Sequence, residues 1–244
     1  MLLYHIRKLR EKRSGFSYFL YLFFLYIKKY NIIGPLYFLY MVLYSYFLSF
    51  RLFGFSFLPK VFFSNGVFRV RLDINRGGVS VIRSGSLIFE KWRSGSCTNI
   101  SVAKGAVLEI GNTFTIGDNC KISLFKGSKL TIRGESSLQS SGITADTIIL
   151  CFKEIIIGKG TIISWNCYIT DSSQHEFNGS IRIESVIIGD HVWVSESVSC
   201  GPGTNVGNGA VIGSKSYLSK VYPNNAFIAG CPGQVKSSNI NWKR

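Results

Sequence analysis

Three histidines occur in the 244 residues: His5, His175 and His191. An imidazole is the side chain best suited to taking a proton near neutral pH, so each is a candidate for acid–base chemistry. His5 sits in a basic head, and His191 falls where a repeating pattern, described below, turns its side chains outward. His175 lies where that pattern breaks, in TDSSQHEFNGSIRIESVI (170–187), and suits a general base held on a loop. The plainer reading is a mobile surface histidine. Asp171, four residues earlier, suits the fixing of an imidazole tautomer or contact with an acceptor, and equally the capping of a turn. Glu176 is expected to be solvated. Two histidines in this part of the chain are too few for a three-histidine zinc site, and no metal is expected. No nucleophile elbow and no phosphate-binding glycine loop is present. The cysteines 97, 120, 151, 167, 200 and 231 form no CxxC pair. Reduced thiols are expected, with Cys120, Cys167 and Cys200 as small core residues.

The element that must hold His175 is a repeat. From Ile188 the chain falls into sixes: IGDHVW, VSESVS, CGPGTN, VGNGAV, IGSKSY, LSKVYP. First positions are apolar (Ile188, Val194, Cys200, Val206, Ile212, Leu218) and second positions small. Short strands joined by tight corners satisfy this pattern, with each inward apolar residue stacked on its equivalent one coil away. Helical periodicity is absent, and the frequent glycine opposes a helix. Weaker matches start at Val102, Ile110, Ile116, Ile157 and Ile163, with slips near 124–156 and 171–187. Ile169 and Ile188 are 19 positions apart, which predicts one coil of 18 with a corner remade into a loop. The slip region 124–156 matches no motif and is a place from which acceptor contacts are expected.

The rest of the chain is built for another solvent. Residues 1–93 carry 15 Lys/Arg against 3 Asp/Glu, and 21 of the 35 aromatic residues lie in the first 63. A basic RKLREKR (7–13) precedes the apolar stretches 16–27 and 32–50. The second stretch is long enough to cross a bilayer as a helix. Tyr and Phe flanked by Lys and Arg also suit burial in a membrane interface. Packing on the main domain or on a neighbouring subunit is the plainer alternative. The positive charge sits beside apolar runs, without a nucleic-acid-binding motif, so no nucleic-acid partner is expected. The expected division is a helical membrane-associating region 1–63, entry strands 64–99, a β-helix 100–223 and a closing segment 224–244.

The repeat and the ending LSKVYPNNAFIAGCPGQVKS (218–237) resemble the hexapeptide-repeat acyltransferases, in particular the branch that acetylates polysaccharides. The resemblance implies a mainly β fold, a left-handed parallel β-helix of 18-residue coils. It implies a homotrimer and acetyl-CoA as acyl donor, lying in a groove between subunits. It also implies His175 as base, with Asp171 in an Asp-x-x-x-His arrangement. The donor-binding positions that correspond are Ser195, Glu196, Gly213 and Ser214, with the Glu196 N–H facing the developing oxyanion. Lys220 corresponds to a lysine near the nucleotide phosphate, and Lys215 is a weaker basic candidate. Trp193 is expected either to line the pantetheine groove or to pack at a corner. Ser195 and Ser214 depart from the commoner Gly and Ala, both remaining small.

The activity implied is O-acetylation of a sugar hydroxyl on a bacterial surface polysaccharide or its lipid-linked precursor, at the cytoplasmic face of the inner membrane. A purely cytoplasmic location follows instead if the N-terminal helices pack on protein. N-acylation of an amino-sugar nucleotide and a non-catalytic β-helix scaffold are the alternatives.

Overall fold

The computed structural model describes residues 24, 28, 33–92, 97–136 and 141–243. The basic head, His5, Lys29 and nearly all of the stretch 16–27 lie outside the described residues.

Strands of two to six residues wind into three sheets, one of nine strands and two of seven, each taking every third strand of the chain in parallel, save the last strand, which joins the nine-stranded sheet antiparallel. The result is a triangular parallel β-helix, as the repeat predicts. Face 1 begins with Val61–Ser64, face 2 with Arg69–Ile74 and face 3 with Val79–Ile82. Alternation sets the core: in Cys97–Val102 every second residue is buried. In-register columns such as Ile110, Ile132, Ile157, Ile188 and Val206 stack at the centre, all at most 1% exposed. A parallel stack buries such residues against identical neighbours one strand spacing away, so aliphatic columns carry the stability.

The stack starts at Val61 rather than near residue 100, so the segment expected as entry strands is the first part of the β-helix itself. The early coils are wider than 18 residues. In-register partners are 28 apart at Arg69–Cys97, 22 at Asn99–Lys121 and 27 at Lys121–Ile148. They are 18 apart at Ser199–Tyr217, within the strict hexads.

The apolar run forms helix α1 (Gly34–Phe53), with proline in its first turn. Phe38, Met41, Ser45, Leu48 and Leu52, at alternating spacings of three and four, form a buried face that seals the open end of the first coil. Its polar groups satisfy the coil's exposed edge. The Ser49 hydroxyl accepts from the Lys60 and Val61 N–H at 2.9 Å, and the Tyr44 hydroxyl accepts from the Val70 N–H at 3.0 Å. An uncovered edge strand would template further pairing, so this cap is structural. Helix α1 thus lies across the end of the β-helix with one face committed to protein. Its opposite face leaves Leu36, Leu39, Leu43, Phe47 and Phe50 exposed. At the other end Gln234–Ser237 pairs antiparallel with Phe227–Ala229 and closes the stack.

Candidate active site

Three corners join the faces, and each has its own chemistry. Between faces 1 and 2, Asn119, Asp146, Asn166, Ser197 and Lys215 each take the left-handed backbone that the tight corner requires. Asn and Asp tolerate it best. This asparagine corner is laced along its length: the Asn119 amide donates to Asp146 at 2.7 Å, and the Asn166 amide to Ser197 at 3.2 Å. Between faces 3 and 1, the His191 ring stacks on Trp242 at 4.2 Å and 5°. The Trp242 indole N–H donates to the His191 carbonyl at 3.0 Å. His191 faces outward, as expected, and clasps the C-terminal tail.

The corner between faces 2 and 3 carries His175. Ile169 is in register with Cys200 on face 2, whereas Ile188 is in register with Ile157 on face 3. The two isoleucines therefore flank one corner of one coil and are not a coil apart, which corrects the count made from sequence. Tyr168 and its partner Ser199 are 31 positions apart against 18 for Ser199 and Tyr217, so the insertion at this corner is 13 residues.

Asp171 builds the base of the loop. It is fully buried, and its carboxylate accepts from the N–H groups of Phe152, Lys153 and Glu154 at 2.7, 2.7 and 2.6 Å. Both oxygens are thereby committed to the corner of the preceding coil. The geometry favours the turn-capping reading of Asp171: no hydrogen bond joins it to His175 among the described residues. Beyond it the loop doubles back through bridges Ser172–Ile183 and Phe177–Ser180. The Ser173 hydroxyl donates to the His175 carbonyl at 2.9 Å. Arg182 pairs with Glu184 through two bonds of 2.9 and 3.0 Å, and it also donates to the Ser219 carbonyl. The Arg182 guanidinium holds the Glu184 carboxyl below its usual range. His175 and Glu176 are exposed on this frame, with the backbone of His175 fixed and its ring open to a partner.

The remaining candidates divide between corners. Ser195 and Glu196, and one coil later Gly213 and Ser214, enter the asparagine corner from face 1. The Ser195 N–H donates to the Ile212 carbonyl at 3.0 Å, and the Glu196 carbonyl accepts from Lys215 at 3.0 Å. No backbone acceptor among the described residues takes the Glu196 N–H. Gly213 has no room to spare: a Cβ there would stand 3.1 Å from the Ala229 Cβ. Trp193 projects from face 1, 40% exposed, with its indole N–H 3.4 Å from the Ser164 hydroxyl. Lys220 is not with this group. It lies on the loop corner, its ammonium 5.8 Å from the Tyr222 ring.

His175 and Glu196 therefore flank face 2 from opposite edges. Ser197 and Gly203, which mark those edges on one coil, are six positions apart, a span of up to roughly 20 Å. One chain does not bring His175 and the Glu196 N–H together. Thiol chemistry does not substitute in the core. Burial pushes the Cys120 and Cys151 thiols up to about 12 and Cys167 to about 11, and raises Cys200 as well.

Sequence patterns did not single out the loop-corner residues Phe125 and Phe152, whose rings stack at 3.9 Å and 9°. Recurring basic-residue–glycine steps in NRGG, AKGA and FKGS are the signal that marks this corner.

Hexads, a three-faced parallel stack and a histidine loop inserted at one corner define a hexapeptide-repeat β-helix protein. By sequence its relatives are acetyltransferases, in keeping with the family that the repeat resembles. No model of a known protein family matches the chain. It is 28% identical over 143 residues to an Escherichia coli protein named as a lipopolysaccharide biosynthesis O-acetyl transferase, WbbJ, covering 52% of this chain and 70% of that one. It is 31% identical over 86 residues to galactoside O-acetyltransferase of Escherichia coli, covering 33% of this chain and 42% of that one. Apart from WbbJ, the chain spans about half the length of the curated relatives it matches. Among solved structures, the polysialic acid O-acetyltransferase OatWY is 20% identical with a TM-score of 0.48, over 72% of this chain and 89% of that one.

Proposed function

We propose that this protein is an acetyl-CoA-dependent O-acetyltransferase acting on a sugar hydroxyl of a bacterial surface polysaccharide or its lipid-linked precursor. The observation that carries the reading is the His175 loop, a 13-residue insertion anchored at its base by buried Asp171 and open at its tip. The His175 imidazole takes the proton of the acceptor hydroxyl as that oxygen attacks the thioester carbonyl. The Glu196 N–H stabilises the oxyanion that forms. The carbon–sulfur bond then breaks, and the imidazolium returns its proton to the leaving thiolate. The products are an O-acetyl ester and free coenzyme A. The donor runs along face 1 and the asparagine corner past Trp193, Ser195, Gly213 and Ser214.

The separation of His175 from Glu196 across face 2 supports a homotrimer. A three-fold arrangement sets the loop corner of one chain against the asparagine corner of the next, and Lys220, on the loop corner, then meets the nucleotide of a donor bound to the neighbour. The exposed apolar face of α1, preceded in the sequence by the basic segment 7–13, supports peripheral attachment to the cytoplasmic face of the inner membrane. Acetyl-CoA cleavage dependent on added bacterial glycan tests the reading. His175→Ala should lower turnover about 10²–10⁴-fold with the trimer intact, as removal of a general base does. Turnover within a few-fold of wild type would reject His175 as the base.

A further inference from the structure

The loop corner carries a second feature that the transfer step does not use. Arg76, Lys104 and Lys126 occupy its four-residue tip in three successive coils and Lys153 the shorter two-residue corner of the next, each two residues past the in-register column Ile74, Val102, Leu124 and Cys151. Neighbouring strands are about 4.8 Å apart, so the four cations form a column with roughly that rise per rung. All four are exposed, and no carboxylate stands within ion-pair distance of any of them among the described residues. Glu184, whose carboxyl the Lys153 charge helps to lower, is held in the bidentate pair with Arg182, and Asp171 is committed to the backbone N–H groups of Phe152, Lys153 and Glu154. On the coils of Lys126 and Lys153 the asparagine corner carries Asp118 and Asp146 instead, whereas on the coil of Lys104 it carries Lys91.

Phe125 and Phe152 stand inside this column, one residue before Lys126 and Lys153. Phe125 is 41% exposed, and its ring lies parallel to that of Phe152. A parallel aromatic pair at a solvent-facing corner offers a flat apolar platform, which suits the C–H face of a sugar ring. The column ends where the loop begins: Asp171 grips the N–H groups of Phe152 and Lys153, and His175 leaves the corner on the next rung. The donor candidates Glu196 and Ser214 lie further towards the C-terminal end. In the proposed trimer the groove between chains would have its donor end there, and the basic, aromatic end on the N-terminal side of His175 is unassigned.

We propose that this column is the acceptor track, and that the acceptor is an acidic glycan, a polymer carrying a carboxylate or phosphate on repeated sugars. Rows of cations at one-rung intervals hold an extended polyanion in register, and the Phe125–Phe152 platform seats a sugar one rung before the base. The assignment of this end to the acceptor rests on the acetyltransferase reading; the affinity for an acidic glycan does not.

The test separates the two by measuring binding without turnover. End-labelled oligogalacturonate and malto-oligosaccharide of equal length are titrated against the full chain by fluorescence anisotropy, at low and high salt. The acidic oligomer should bind and the neutral one should not, with affinity falling as salt rises. Lys104→Gln/Lys126→Gln/Lys153→Gln should weaken that binding about tenfold or more and flatten its salt dependence. Phe125→Ala, a truncation at an exposed position, should weaken it separately. Equal binding of both oligomers, or unchanged binding by the triple variant, would overturn the track. So would dissociation of the triple variant into monomers with its glycan affinity intact, which would assign the column to contact between copies of the chain. If the track holds and acetyl-CoA is not cleaved, the transferase reading fails and the glycan-binding one stands.

Discussion

The two corners that border face 2 are built from the same coils and do opposite things. The asparagine corner is tight and continuous: five side-chain-bearing residues in the left-handed region stack rung on rung, tied by amide and backbone bonds. From Ile116–Lys121 onward the step across it is the same in every coil, the longer steps such as Phe63–Arg71 being confined to the first coils, and it presents backbone to whatever lies against it. The loop corner turns mainly through glycines, exposes cations and admits a 13-residue excursion. A rigid edge suits the holding of a donor by main-chain groups, and an edge that admits loops suits selection of an acceptor. A single chain holds these edges apart, and on the proposed reading the difference between them becomes chemistry where two chains meet.

The largest effect expected from breaking the contrast is at the rigid corner. A Cβ on Gly117 would stand 1.4 Å from the Thr144 carbonyl oxygen, an overlap that only backbone movement relieves. Gly117→Ala should cost about 4 kcal/mol in denaturant unfolding. Asp171→Ala comes next. It strips three N–H groups of their acceptor, should cost about 3 kcal/mol, and should cut turnover because the loop loses its anchor. At the loop corner a Cβ added to Gly127 would meet nothing within 4 Å, so Gly127→Ala should cost only about 1 kcal/mol, from its positive φ of 74°. Equal costs for the two glycine variants would erase the distinction between the corners. The smallest effect is expected at the third corner. His191→Asn keeps a residue tolerant of the left-handed backbone while losing the stack on Trp242. It should leave turnover within about twofold and quicken proteolysis of the C-terminal tail.

How much of this was legible depends on corner length. From Ile188 to Leu218 each corner adds the same number of residues, so apolar positions recur in phase and the coil is readable. Upstream, extra corner residues shift the phase from coil to coil, which is why 64–99 reads as entry strands and 61–63 as the end of the helical region, although Val61 already pairs with Leu87. The histidine loop is visible as a break, but its 19 positions mimic a coil because one side plus the insertion happens to equal one turn plus one. Asp171 shows the limit most clearly. Its spacing from His175 suggests a catalytic pair, while its burial and its three N–H donors come from Phe152, Lys153 and Glu154, which no local pattern connects to it. Lys220 is likewise readable as a basic site residue but not as a resident of the loop corner.

Subunit complementation tests most directly whether the site is shared between two chains. His175→Ala removes the proposed base from one corner, and Gly213→Trp blocks the proposed donor edge of the other. Each variant alone should be nearly inactive in acetyl-CoA cleavage with glycan acceptor. Refolded together in equal amounts, a quarter of the interfaces pair an intact loop with an intact donor edge, so activity should return to about a quarter of wild type. A mixture no more active than the two parents, with mixed trimers confirmed by mass, would show that His175 and the donor edge work within one chain and would contradict the account.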